Sequence, residues 1–415
     1  MLMGVSQVSK EGKFTVKGDP KVMYTTMMLV RLTIIMECPQ FSLMALKIAL
    51  RYGTVRRQFA TQDNSKEERR IIDYQTFQMT LVPLMAMNIA NMIVNNWLRD
   101  NFRTMREQVV KGRYDMMPLL HHVLAGMKSQ NTDFMMRSIE TARRCCGGAG
   151  YQSNSGFTEI FQRASPKVTY EGDNIVMMLQ SAGFVFKLYA MARQGKKVPF
   201  PFTYISQEKE LLALKGKGAS VDECCDMDFI ERALAVRVIY QLQNCAKSMM
   251  SSKASQKVKE NELFARMKYE MTKAHMQYIT LAIFRASFEK QQFKDARILP
   301  VMKDMYRIAG LFMLIENCSD CYASGFLAGP AFTNMKAAQD KLIAGVRPHL
   351  IPLIESTVMF EEPSNIGNIY GDCYELQLHQ AKNSRINKLD VGGVPPEWHT
   401  SLKYILNGGA PEAKL

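Results

Sequence analysis

Between residues 23 and 59 the apolar positions, among them Leu29, Leu32, Met36, Leu43, Leu46, Ile48 and Leu50, recur with helical periodicity. Strands rarely exceed about ten residues, so a run of this length commits the segment to helix. Residues 71–97 form a second, strongly apolar helical stretch. A third covers 107–127, where Pro118 should bend it, and a fourth covers 133–146 and stops at Gly147-Gly148, as helices often do at glycine. After a loop over 149–167 another helix begins near Gly172. Residues 225–250, 260–288, 301–327 and 334–360 carry the same period. With 31 Met and only 15 Pro in 415 residues, composition favours helix as well. Pro39 lies inside the first stretch and should kink or break it, because it lacks the donor and crowds the previous turn.

The predicted class is therefore all-α. Residues 1–22, with Gly4, Gly12, Gly18 and the alternation Lys13-Phe14-Thr15-Val16-Lys17, read as a strand remnant and a loop, and 62–67 as a polar loop. Residues 195–220 contain Gly195-Lys196-Lys197, Pro199-Phe200-Pro201 and Gly216-Lys217-Gly218, which break helices and suit an exposed linker. The expected organisation is a β remnant (1–22), a first helical bundle (23–194), a linker (195–224), a second bundle (225–405) and a tail (406–415). That tail region, irregular from Asp390, carries Gly392-Gly393, Pro395-Pro396 and Gly408-Gly409.

The formal net charge of +14 raises the question of nucleic acid. The basic residues are dispersed, however, and the cluster at 253–259 contains Ser and Val, so no nucleic-acid partner is expected; anionic small ligands use such a surface equally well. The apolar stretches at 24–36 and 175–192 are interrupted by Arg31 and by Gln180 and Lys187, short of the roughly 20 residues of a membrane span. No signal pattern opens the chain. Nine scattered cysteines, with vicinal pairs at Cys145-Cys146 and Cys224-Cys225, suggest no disulfide framework and a reducing compartment. Cys318-Ser-Asp-Cys321 is a lone pair and reads as two helix cysteines, with no metal expected. Of the six histidines, His121 and His122 point to different helix sides and define no site. The Met-rich stretches read as core filler.

Three segments carry chemistry. They are Ala49-Leu50-Arg51-Tyr52-Gly53-Thr54-Val55-Arg56-Arg57-Gln58-Phe59, Cys146-Gly147-Gly148-Ala149-Gly150-Tyr151 and Thr169-Tyr170-Glu171-Gly172-Asp173-Asn174. Each alone is weak; in this order, spacing and placement on helix ends they resemble the peroxisomal acyl-CoA oxidases of the acyl-CoA dehydrogenase superfamily. The Tyr-Glu-Gly-Asp-Asn form, the second helical domain and the terminal Ala413-Lys414-Leu415, a variant of the Ser-Lys-Leu address, point to the oxidase branch. The resemblance implies that the chain corresponds to the two C-terminal helical domains. Residues 1–22 would then be the last of a β domain that in the family supplies much of the flavin pocket.

Desaturating an acyl thioester needs a base for the α-proton and an acceptor for the β-hydride. A carboxylate in a water-poor pocket can serve as that base, and Glu171, beside a glycine that permits close approach, is the candidate. The resemblance assigns it the α-proton, with the hydride going to FAD and the thioester oxygen held by a backbone amide and a flavin hydroxyl. It further implies that Arg56 pairs with the flavin pyrophosphate, usually across a subunit interface, where a guanidinium fork suits phosphate. Phe59 would pack near the adenine end, Gln75 would contact the same cofactor, and Gly147 and Gly148 would let backbone approach the flavin of a neighbouring subunit. Asp173 and Asn174 would face the flavin, while Arg31 would lie near the CoA portion with Tyr170 beside the substrate. The implied reaction is conversion of fatty acyl-CoA to trans-2-enoyl-CoA, with molecular oxygen reduced to hydrogen peroxide. A homodimer in the peroxisome, delivered by the import receptor through Ala413, Lys414 and Leu415, completes the expectation. Without the motifs, Glu171 reads as a helix N-terminal acid, Arg56 as a surface Arg, Phe59 as core and Arg31 as an interface residue. Pro39, Ala149 in place of a commoner histidine, and the loosely matching Ile366-Gly367-Asn368-Ile369-Tyr370-Gly371-Asp372 depart from the family pattern. A second reading is a shortened subunit that folds and dimerises but cannot close a flavin site.

Overall fold

The computed structural model describes residues 6–16, 21–60, 67–216, 219–290, 292–293, 295–357, 363–368, 372–384, 387, 393–394 and 397–409. Gly4, Gly18, most of the 62–67 loop, Lys217-Gly218, Ile369-Tyr370-Gly371, Gly392, Pro395-Pro396 and Ala413-Lys414-Leu415 lie outside the described residues. A small antiparallel hairpin, β1 (Ser6–Val8) and β2 (Phe14–Val16), precedes α1 (Lys21–Val55). A second pair, β3 (Arg57–Ala60) and β4 (Glu68–Arg70), leads into α2 (Gln75–Val110), α3 (Met117–Cys145), α4 (Phe157–Ala164) and α5 (Asn174–Arg193). Next come α6 (Glu208–Ala213), α7 (Val221–Cys224), α8 (Met227–Ser251), α9 (Gln256–Val258), α10 (Ala265–Glu289), α11 (Leu299–Glu316) and α12 (Ser319–Ala323). The chain closes with α13 (Ala331–Val346), α14 (Leu350–Thr357), α15 (Cys373–Asn383) and α16 (Lys403–Leu406).

The expected helical class holds, with corrections at the prolines. Helix α1 runs unbroken through Pro39. The carbonyl that Pro39 leaves without its helical donor is that of Ile35, and Asn95 Nδ2 from α2 reaches it and the next carbonyl, Met36, at 3.4 Å each. Pro118 starts α3 instead of bending a helix; in the first turn its missing N–H has no intrahelical acceptor to lose. The stretches at 107–127 and 133–146 are thus the end of α2, a turn, and one continuous α3. The first helix also stops at Val55, not Phe59: Arg57 pairs with Arg70 in extended backbone, and Phe59 takes a positive φ of 60°. Within the expected loop 149–167, α4 buries Phe157, Ile160 and Ala164. Past residue 390, two short helical turns cover Trp398–Leu402 and Lys403–Leu406.

α1 packs on α3, α3 on α5, and α8 on α10, while α10 also packs on α2, α3 and α5 and α11 on α2. One buried apolar cluster therefore runs from Met28 to Cys373. Each fully buried Leu, Ile or Met in it contributes about 1.5–3 kcal/mol. The 195–220 segment is less exposed than the linker its Gly/Pro/Lys content suggested: Phe202, Tyr204, Ile205, Leu211 and Ala219 are buried in this cluster. By length and composition alone, Tyr24–Val55, α2 and α5 are long and apolar enough to cross a membrane, which the shorter windows read from sequence did not indicate. The apolar windows of the first two are 67% and 78% buried within the fold and that of α5 33%.

Candidate active site

The third motif is a turn between α4 and α5. A 3-10 turn over Ser165–Val168 follows α4, and Asp173 opens α5 as its N-cap, Oδ1 accepting from the amides of Ile175 (2.9 Å) and Val176 (3.3 Å). Between them the chain reverses through two successive positive φ values, 59° at Glu171 and 112° at Gly172. Glycine suits the second, because at φ 112° an L side chain is strained. For glutamate the left-handed conformation costs about 1–2 kcal/mol, so something must hold it. Arg31 on α1, 3% exposed, donates Nε to the carbonyl of Glu171 at 3.2 Å. Lys128 on α3, 0% exposed, donates to the carbonyls of Gly172 (2.7 Å) and Val168 (3.2 Å) and to Asn174 Oδ1 (3.0 Å).

These contacts sort the predicted residues. Glu171 is half-buried, and its backbone carbonyl is held by a buried guanidinium. Burial pulls the pKa of Arg31 down and the Glu171 charge opposes that pull. Its Nη1 is buried and finds no acceptor among the described residues, leaving a donor for a ligand. Asn174 is turned into the fold: besides accepting from Lys128, it donates to Thr132 Oγ1 (2.8 Å) and Asp133 Oδ1 (2.7 Å). Asp173 is spent on its cap. Tyr170 is exposed and its hydroxyl accepts from Lys167 Nζ at 3.1 Å. Lys167 in turn pairs with Glu37 at 2.7 Å. Burial lowers its pKa, but the hydrogen bonds to Glu37 and Tyr170 outweigh that and leave it raised.

The first two motifs meet elsewhere. Beyond α1, Arg56 donates Nη1 to Tyr374 Oη (3.1 Å) and Nη2 to Gln58 Oε1 (2.7 Å), and the Tyr374 contact raises its pKa. Tyr52 lies beneath, its phenol pushed up first by burial and then by Tyr374, with Arg56 and Cys146 in electrostatic reach. Phe59 is 70% exposed, which corrects the alternative of a core Phe. Gln75, exposed, begins α2 where Tyr74 Oη ties it to the Gln58 carbonyl (2.7 Å). At Gly147, with φ 57°, and at Gly148 no non-neighbouring atom of the described residues lies within 4 Å of where a Cβ would stand, so the end of α3 is open to approach. Arg31 lies in α1 and Arg56 just past its end, 25 residues on, which at 1.5 Å per residue is about 37 Å. The structure thus gathers Glu171, Arg31 and Tyr170 at one end of α1 and Arg56, Phe59, Gln75, Gly147 and Gly148 at the other.

Sequence reading missed Lys128 and the Arg56–Tyr374 contact. A lysine directly after the mostly apolar run Val123–Met127 was the available signal for the first; the second joins residues 318 apart and had none.

Two family models match, acyl-CoA oxidase C-alpha1 domain over residues 24–186 and acyl-CoA oxidase over 226–407. The chain belongs to the acyl-CoA oxidase family. It is 28% identical to peroxisomal acyl-coenzyme A oxidase 1 of Rattus norvegicus over 412 residues, 98% of this chain and 61% of the rat protein. The structure of Arabidopsis thaliana acyl-CoA oxidase 1 superposes with a TM-score of 0.88 at 28% identity, again covering 98% of this chain and 61% of that one. The Caenorhabditis elegans acyl-CoA oxidase-2 bound with FAD, ascaroside-CoA and ATP shares the fold, with a TM-score of 0.85 at 23% identity over 98% of this chain and 60% of that one. The chain thus spans about three fifths of the length of these acyl-CoA oxidases.

Proposed function

We propose that this chain carries the base and part of the flavin site of a peroxisomal acyl-CoA oxidase that converts fatty acyl-CoA to trans-2-enoyl-CoA and reduces molecular oxygen to hydrogen peroxide. The observation that carries the reading is Glu171, held in a left-handed turn with its carbonyl on Arg31 and an unpartnered Arg31 donor alongside. In this role the Glu171 carboxylate takes the α-proton of the thioester, and Arg31 Nη1 donates to the substrate. Bound FAD would supply the acceptor for the β-hydride and the route of the electron pair to oxygen. The residues present fit the cofactor. Gly147 and Gly148 leave open space for a ligand's approach, and Arg56, partly exposed and firmly cationic, suits a pyrophosphate. Phe59 and Gln75 flank the same surface; Asp173 and Asn174 act on the turn rather than on the flavin.

The separation of about 37 Å along α1 supports a homodimer, in which Arg56 and the glycines of one subunit serve the flavin beside Glu171 of the other. The rat and Arabidopsis relatives are named as peroxisomal, which supports the same compartment here, with Ala413, Lys414 and Leu415 read by the import receptor. The competing reading is a subunit that folds and dimerises without closing a flavin site.

The test is peroxide release from the chain with FAD and a long-chain acyl-CoA, alone and with the preceding part of a relative supplied in trans, each beside Glu171→Gln. Peroxide in either arm that Glu171→Gln abolishes supports the oxidase. Peroxide only in trans identifies a partial subunit. Turnover that survives Glu171→Gln sinks the base assignment.

A further inference from the structure

We propose that Lys128 is a positioning residue for Glu171: its ammonium brackets the turn from both sides and keeps the base in the left-handed conformation. The inference rests on the reading of Glu171 as the base and adds a residue that none of the three motifs contains. Lys128 sits mid-way along α3 with no exposed surface, and all three of its donors are used. Val168 precedes the turn, Gly172 follows Glu171 directly, and Asn174 begins α5. One cation therefore fixes the entry, the exit and the following helix of a segment whose middle residue has φ 59°.

The carbonyls of Glu171 and Gly172 are consecutive, and each is held by a different buried cation, Arg31 and Lys128. Rotating Glu171 back to a right-handed or extended conformation would swing the peptide planes that carry these carbonyls. It would thereby strip buried cations of acceptors, which is costly for groups removed from solvent. Asn174 closes the arrangement, because its side chain is itself oriented by Thr132 and Asp133 on α3. Ser129, next to Lys128, donates Oγ to the Asn174 carbonyl at 2.8 Å rather than to Val168 or Gly172, so it serves as an internal control.

The experiment compares wild type, Lys128→Met, Lys128→Gln and Ser129→Ala. Hydrogen exchange of peptides spanning residues 168–174 is measured on the chain as it stands, and kcat and KM on whichever assembly releases peroxide. Faster exchange at 168–174 is expected in Lys128→Met but not in Ser129→Ala, with kcat lowered roughly 100-fold and KM nearly unchanged. Lys128→Gln, a neutral donor of shorter reach, should fall between and covers the case in which the methionine variant does not fold. A third readout separates positioning from general packing. In a Glu171→Gly background, where left-handed φ carries no strain, Lys128→Met should accelerate exchange much less. Exchange and kcat unaffected by Lys128→Met, or acceleration equal in both backgrounds, would overturn the proposal. Turnover insensitive to Glu171→Gln would instead overturn the base assignment and leave the exchange result to judge Lys128 separately.

Discussion

Acid should unfold this protein through a histidine pair in the seam between its helical halves. His122 on α3 and His275 on α10 are 1% and 0% exposed, and their Nε2 atoms lie 3.1 Å apart. The carbonyl of Ser181, 2.9 Å from His122 Nδ1, can only accept, so that nitrogen carries the proton and Nε2 is bare. His275 then donates its Nε2–H to His122 and accepts the Tyr204 hydroxyl at Nδ1. Both rings are neutral, and Phe202 stacks on His275 with ring centroids 5.5 Å apart. Burial lowers the pKa of His122 to about 3, with His121 adding to the effect and the Ser181 contact opposing it, and burial holds His275 well below the usual value. The sign follows directly. Between these depressed folded values and about 6.5, the unfolded chain binds more protons than the folded one, so stability is complete above about 6.5 and is lost as pH falls. At pH 5, about 1.5 pH units below the unfolded value, His122 alone forfeits ~2 kcal/mol and His275 adds to the loss in the same direction, against the 5–15 kcal/mol that usually holds a domain together. Urea midpoints at pH 7.5, 6 and 5 should fall steadily, and His122→Gln/His275→Gln should flatten the slope even though it lowers the midpoint at pH 7.5. An equally steep slope in the double variant would refute the reasoning.

Three other outcomes follow from single contacts. Glu355→Gln should cost about 3 kcal/mol in urea unfolding, because Arg51 and Lys47, both under 10% exposed, lose the carboxylate they share at 2.7 and 3.0 Å. Asn95→Ala should cost about 1 kcal/mol by uncovering the Ile35 and Met36 carbonyls, whereas Asn95→Ala combined with Pro39→Ala should recover much of that loss. Gly148→Ala should change stability by less than about 0.5 kcal/mol, since nothing lies near its Cβ, yet weaken FAD about tenfold by flavin fluorescence in whichever assembly binds it. Unchanged FAD affinity would remove Gly148 from the cofactor surface.

The helical class and the three motif positions were legible because periodicity and local spacing are properties of consecutive residues. What escaped was set by distant partners. Pro39 looked like a break because its rescuer, Asn95, is 56 positions away and polar residues on apolar helices usually announce nothing. The 195–220 stretch looked like a linker because Gly, Pro and Lys dominate its composition, while the residues that bury it, Phe202, Tyr204 and Ile205, are few. His122 gave no sign of a partner 153 residues downstream. At the site, Glu171 was legible as an acid beside glycine, but its positive φ was not, since glutamate has no preference for that conformation and only the surrounding cations impose it. Asn174 was read as facing a cofactor because it neighbours the base; the register of α5 turns it inward to Lys128, Thr132 and Asp133 instead.

Helix α3 joins these separate observations. At positions 122, 126 and 130 one face meets α10: His122 bonds His275, Gly126 leaves room for Met276, whose Cε would sit 2.3 Å from an added Cβ, and Gln130 Nε2 donates to Thr280 at 3.4 Å. At 128 and 132 another face meets the turn that carries Glu171 and the start of α5. A 100° step per residue places these two sets on different sides of one rigid rod, so the second half of the chain and the base turn are held by the same element. A shift of α10 therefore reaches Glu171 through α3 as well as through α5, on which α10 also packs. On this geometry the helices beyond residue 225 do more than enlarge the core: they fix the rotation of α3, and with it where Lys128 presents its ammonium.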